Sequence, residues 1–172
     1  MRADIVPGGV FPDYTLPDHT GVVRTLSELQ CRDPLVLTLA RGHYCPKEHQ
    51  QHLELAAFQP KIAVAYTQIV TISTDEHHEL QEFRASVGAG WPFLSDPGRI
   101  VQQDLGIQEY TDPDHNPMIP HTFVLKPLPR LGQAVGQTVT APRSTVRSWR
   151  RLLMPSFMKT FRRCHSTVRG LR

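Results

Sequence analysis

The chain reads as an α/β protein, a sheet sandwiched between helices, and three observations point there. Leu35–Ala40 and Gln68–Ser73 are almost unbroken apolar runs, with the length and composition of central strands covered on both faces. Segments of helical spacing lie between and after them, so the order is β-α-β-α-β, which folds with crossover helices. With 172 residues, 40% hydrophobic and 20% charged, the chain has enough apolar material for the core of one domain.

The elements follow in order. Residues 11–17 alternate apolar and polar side chains around two prolines, the pattern of a short edge strand. Asp18-His19-Thr20-Gly21 is turn chemistry, and residues 22–26 return as a second short strand, with Ser27 placed to cap one helical turn. A helix is expected from Pro46 to about residue 66, because proline suits a first turn and Leu53, Leu55, Ala56 and Phe58 supply apolar contacts. Pro60 should kink or shorten it. Thr74 or Asp75 should cap the next helix, which Leu80, Phe83 and Val87 carry to Gly88. Ser95-Asp96-Pro97-Gly98 turns into a short helix over 99–105, and a loop rich in Asp, Pro and Asn spans 111–120. The strand His121–Leu125 follows.

Beyond Lys126 the pattern thins to one weak strand within 131–140 and a helix over 144–154. The expected organisation is a domain over 1–126 and a basic segment over 127–172, which is either the last strand and helix of the fold or a divergent tail.

The net charge of +3 conceals an asymmetry. Residues 1–114 carry 8 basic and 16 acidic side chains, a net of −8, whereas the last 58 carry 11 basic and no acidic ones. That segment, with Trp149, Phe157 and Phe161 among its arginines, has the chemistry to meet an anionic partner such as nucleic acid. No run of residues reaches the roughly 20 apolar positions of a membrane span. Residues 1–10 hold no apolar stretch of signal-peptide length, so a cytoplasmic location is expected. Three cysteines, Cys31, Cys45 and Cys164, do not form a disulfide framework.

Cys45 stands out. It follows a central strand and an Arg-Gly turn, and it precedes the expected helix start at Pro46. A helix N-terminus presents unpaired N–H groups and partial positive charge, which favour the thiolate, the nucleophilic form. Arg41 and His43 are close in sequence and add to that field. Cys45, His49 and His52 share one helix face, at a spacing that zinc can use. No fourth ligand is in view, so no metal and no cofactor are expected, and these histidines are read as solvated.

Several segments together carry a resemblance. The opening Phe11-Pro12-Asp13-Tyr14-Thr15-Leu16-Pro17-Asp18, the strand-turn-Cys45-Pro46 unit, Ile72-Ser73 before a helix, Phe93-Leu94-Ser95-Asp96-Pro97, and Pro120-His121-Thr122-Phe123-Val124-Leu125 occur in a series that resembles the peroxiredoxin-like (alkyl hydroperoxide reductase C / thiol-specific antioxidant) members of the thioredoxin-fold superfamily. It covers about residues 8–126. The resemblance implies a thioredoxin-like fold, a central mixed sheet flanked by helices on both faces. It also implies an antioxidant oxidoreductase that reduces hydroperoxides through one attacking cysteine, Cys45, and is restored by an external thiol or a thioredoxin-like protein. Arg41 would assist catalysis, His43, Tyr44 and Pro46 would support the site, and Pro120 would be the superfamily's cis-proline. Cys31 or Cys164 would be the resolving thiol if one lies within the chain.

The sequence also departs from the pattern. Of the run Arg-Gly-x-aromatic-Cys-Pro-x-Cys it keeps all but the last position, where Glu48 stands, so a local dithiol cannot form. Gly42 stands where the family carries a hydroxyl residue, Thr38 where it carries proline, and Met118-Ile119-Pro120-His121 where a second arginine is expected. The competing reading is a non-catalytic thioredoxin-like domain whose basic tail mediates binding.

Overall fold

The structure, a computed structural model, describes residues 1–127 and the strand Thr138–Ala141. Five strands form one sheet: β3 (Leu35–Ala40), β4 (Gln68–Ser73), β5 (Phe93–Ser95), β6 (His121–Leu125) and β7 (Thr138–Ala141), in the order β5-β4-β3-β6-β7. β3 pairs parallel to β4 and antiparallel to β6, so the sheet is mixed, as the resemblance implied. A separate antiparallel ribbon joins β1 (Thr15–Pro17) to β2 (Val23–Thr25).

Strand alternation sorts the side chains into two cores. On one face Val36, Ile69 and Phe93 meet Leu55, Phe58 and Ile62 of helix α2 (Pro46–Ala63) and Leu80 and Phe83 of helix α3 (His77–Ser86). On the other, Leu35, Leu37, Leu39, Val70, Ile72 and Leu94 meet Leu26 of helix α1 (Leu26–Gln30) and Val101 and Leu105 of helix α4 (Ile100–Leu105). Helices therefore cover both faces.

Three strands and the start of α2 match the sequence expectation to the residue, because each rests on a local apolar run or a proline. The ends that depend on capping do not. Thr25, not Ser27, caps α1, its hydroxyl accepting the N–H of Glu28. Glu76 caps α3 instead of Thr74 or Asp75, in a reciprocal pair with Glu79; Asp75 is drawn away by other partners, described below. The first strand shortens to three residues, while Phe11, fully buried against Phe123 at 4.9 Å between ring centroids, acts as an anchor ahead of it. Pro60 does not end α2, which continues to Ala63, because Phe58 and Ile62 on either side of the exposed proline are held in the core. Of the weak strand expected over 131–140, residues 138–140 fall in β7 and the rest lie outside the described residues, as does the helix expected over 144–154.

Candidate active site around Cys45

β3 delivers the chain to the C-terminal edge of the sheet, where Arg41 to Tyr44 form the link into α2. Cys45 is the N-cap residue of that helix, with extended backbone (φ −87°, ψ 112°), and Pro46 follows in the first turn. Its backbone N–H reaches Gly42 O at 3.3 Å, and its carbonyl accepts the His49 N–H at 3.1 Å. The residue is only 7% exposed. A thiol so placed is buried yet lies against the positive end of an 18-residue helix.

Arg41 is half-buried, and two carboxylates of one loop hold it. Its Nη2 lies 3.2 Å from Glu109 Oε2 and 3.5 Å from Asp112 Oδ2. Burial opposes its charge, but Tyr44, Glu109 and the Cys45 thiol all favour the cation and hold it firmly protonated. The Tyr44 hydroxyl donates to Asp112 Oδ2 at 3.0 Å, and its ring stacks on His115 at 3.8 Å and 8°. Burial, reinforced by Asp112, pushes the Tyr44 phenol up to about 12. His115 Nδ1 donates to Asp112 Oδ1 at 2.9 Å, a bond that holds this carboxyl below the usual range. The loop is pinned at its base, where Ile119 N–H meets Ile107 O at 2.7 Å and Glu109 N–H meets Pro117 O at 3.0 Å.

His43 turns to the other side. Its N–H and its Nδ1 both bond the Asp75 carboxylate, at 3.0 Å each. Ser73 Oγ donates to the same group at 2.8 Å. The Asp75 charge raises the His43 pKa above its ordinary value. Gly42 makes this possible: with φ +131°, it lies so close to Asp75 that a Cβ would sit 2.6 Å from Oδ1. A hydroxyl residue, as in the family pattern, is therefore disfavoured here by the backbone φ and by Asp75, which fills the space.

Beneath α2, Thr71 gathers a buried polar cluster. Trp91 Nε1 donates to its hydroxyl at 2.9 Å, the Thr38 hydroxyl lies at 2.7 Å, and His52 Nε2 lies at 3.2 Å. His52 Nδ1 donates to Glu48 O at 2.8 Å. Fully buried, His52 is depressed to about 4 by desolvation. This corrects the expectation of a solvated histidine: its ring is committed to the sheet, and so it does not share a ligand set with Cys45 and His49. Among the described residues, His43, Asp75 and Glu79 bring ligand atoms within 4.8 Å of one another. Asp75 is already occupied by His43 and Ser73, and Glu79 by the N–H of Glu76.

Other expected site residues fall as follows. Pro120 immediately precedes β6 at the same end of the sheet as Cys45, but no described peptide bond is cis. Its trans bond lets the extended segment paired through Met118 and Ile119 run straight into the strand. His121, the last residue of the Met118–His121 stretch in which the resemblance expects a second arginine, donates Nδ1–H to Ile119 O at 2.7 Å. Cys31 ends α1 beside Gln30, whose amide bonds Leu125 O, and Leu125 pairs with Leu35 at the far end of β3. The length of β3, about 17 Å at 3.3 Å per residue, separates it from the Cys45 end. Cys164 lies outside the described residues. Sequence reasoning did not find Asp75, Glu109, Asp112 or His115 as site residues; only the density of Asp, Pro and Asn in 111–120 marked that loop.

Comparison with known proteins fits this geometry. The fold resembles PrxQ of Xylella fastidiosa, solved as a cysteine-to-serine mutant (TM-score 0.72, 16% identity, 90% of this chain and 98% of that chain covered). It also resembles peroxidoxin BcpB of Mycobacterium tuberculosis (TM-score 0.66, 23% identity, 96% and 97% covered). The bacterioferritin comigratory protein of Xanthomonas campestris is similar too (TM-score 0.65, 18% identity, 86% and 91% covered). No curated protein matches the chain. The model of the AhpC/TSA family matches residues 7–131, which among the described elements span α1 to α4 and every strand but β7. The chain therefore belongs to the AhpC/TSA family, as a peroxiredoxin-like protein of the thioredoxin fold.

Proposed function

We propose that this chain carries out the thiol-dependent peroxide reduction of its family with Cys45 as the single attacking residue. The observation that supports this most is the burial of Cys45 at the N-cap of α2, within electrostatic reach of Arg41. The thiolate attacks the outer oxygen of a hydroperoxide; the S–O bond forms as the O–O bond breaks. The departing alkoxide takes a proton and leaves as the alcohol, and the sulfur becomes a sulfenic acid. Arg41 stabilises charge on the departing oxygen. A thiol then displaces water from the sulfenic acid to form a mixed disulfide, and a second thiol releases Cys45 in its reduced form.

With Cys31 at the far end of β3, this reading assigns the reductant role to an external thiol or a thioredoxin-like protein. It takes 1–126 as the catalytic domain and 127–172 as a basic segment that adds the strand β7 to the sheet. The alternative of a non-catalytic binding domain is not favoured by the family, and an anionic partner for the tail has no support there. No helix among the described residues is long and apolar enough to cross a membrane. A reducing, cytoplasmic setting suits a chemistry that needs a free thiol.

The test is peroxide consumption with dithiothreitol as reductant, alongside dimedone trapping of the sulfenic acid. Wild type should consume hydrogen peroxide and carry the adduct on Cys45, and Cys45→Ser should do neither. Equal consumption by the two proteins would refute the assignment.

A further inference from the structure

The charge around Arg41 points to a substrate class. One guanidinium faces two carboxylates, with Glu109 Oε2 at 3.2 Å and Asp112 Oδ2 at 3.5 Å, all three half-buried. The reacting Cys45 thiolate adds a third negative charge, and the start of α2 returns only about half a positive one. The Arg41 charge is thus already balanced before any substrate arrives. What the side chain retains is a hydrogen-bond donor: Arg41 Nε is buried with no hydrogen-bond partner among the described residues.

Neither carboxylate can swing away freely. Asp112 also accepts from Tyr44 at 3.0 Å and from His115 at 2.9 Å, and the Tyr44–His115 stack fixes the two ends of that bridge. Glu109 accepts the Thr111 hydroxyl at Oε1 at 2.6 Å while its Oε2 faces Arg41, and its backbone N–H is bonded to Pro117 O at the base of the loop. An anionic substrate must either displace a carboxylate held on several sides or sit beside it uncompensated. An uncharged hydroperoxide needs only the donor.

We propose that Glu109 and Asp112, by neutralising Arg41 beside Cys45, make the site selective for uncharged hydroperoxides over anionic ones. The proposal rests on the peroxidase reading above and names its substrate class.

The experiment compares kcat/KM of the full chain for 3-hydroperoxy-3-methylbutanoate with that for its methyl ester, a pair of nearly equal size that differs in a charge held a few bonds from the peroxide. tert-Butyl hydroperoxide serves as the reference for peroxidase activity. The ester should be preferred by roughly tenfold, the effect of about one uncompensated like charge at the protein surface. Glu109→Gln and Asp112→Asn, near-isosteric changes, should each narrow the gap, and the double variant should bring it within about threefold. The readout is the acid-to-ester ratio, so a general loss of rate in a variant does not mimic the result. An acid reduced as fast as its ester by wild type would overturn the selectivity while leaving the peroxidase reading intact. So would a ratio unmoved by the substitutions. Failure to consume all three hydroperoxides would overturn the peroxidase reading and the selectivity with it.

Discussion

The Asp75 carboxylate occupies the space into which any side chain at Gly42 would project. A Cβ there would lie 2.6 Å from Oδ1, and the backbone φ of +131° independently disfavours every residue but glycine. At position 42, three residues before Cys45, the chain has no side chain, and the strand-to-helix junction after β4 places a carboxylate there instead. That carboxylate orients the link to Cys45 through the N–H of His43.

This relationship predicts that restoring the family's hydroxyl fails. Gly42→Thr should destabilise the protein by about 1–3 kcal/mol through backbone strain, with the clash against Asp75 adding to it. Its rate with hydrogen peroxide should fall. Urea unfolding and a peroxidase assay on the same preparation measure both, and a variant as stable as wild type with a higher rate would contradict the geometry.

Buried His52 makes stability sensitive to acid. Its folded pKa, about 4, lies below the unfolded value of about 6.5, so in that window the unfolded chain binds the extra proton. The contribution is fully present above pH ~6.5 and is lost as the pH falls towards 4, amounting to about 3 kcal/mol. His52→Gln should be less stable than wild type near neutrality yet lose less on acidification. Urea midpoints at several pH values, taken with constant m, give the comparison; parallel curves for the two proteins would rule out His52 as the source.

The placement of Cys31 predicts a catalytic cycle independent of it. Cα atoms bridged by a disulfide lie within about 7 Å, and the length of β3 stands between Cys31 and Cys45. Cys31→Ser should turn over peroxide with dithiothreitol at the wild-type rate. Peptide mapping of the oxidised protein without reduction should show no Cys31–Cys45 link, and finding one as a major product would require a large rearrangement of the sheet end.

Arg41 should not tolerate lysine. The planar guanidinium meets Glu109 and Asp112 through Nη2 while Nε points elsewhere, a division an ammonium cannot reproduce. Arg41→Lys should lower kcat/KM for hydrogen peroxide by about 10- to 100-fold, a loss of roughly 1.4–2.7 kcal/mol of transition-state stabilisation. Stopped-flow oxidation of Cys45 reads this directly. A rate within about twofold of wild type would mean that charge alone suffices.

What the sequence by itself determined is local. Leu35–Ala40, Gln68–Ser73 and His121–Leu125 declare themselves because buried strands must be apolar along a short run. Cys45 and Pro46 mark a helix start because proline fits a first turn, and these two signals located both the sheet and the candidate thiol at the start of α2. The tertiary structure decided everything that depends on which distant groups meet. β3 and β4 run parallel and side by side, so their ends carry Gly42 and Asp75 together, although 33 positions separate them. The loop after α4 folds back over the same end and sets Glu109 and Asp112 on Arg41. His52 lies on the buried face of α2 with Leu55 and Ile62, and its polar ring is accommodated there because Thr71 stands on the sheet beneath it. Hydrogen bonds and charges act through space over a few ångströms, and spacing along the chain carries no record of them until the chain has folded.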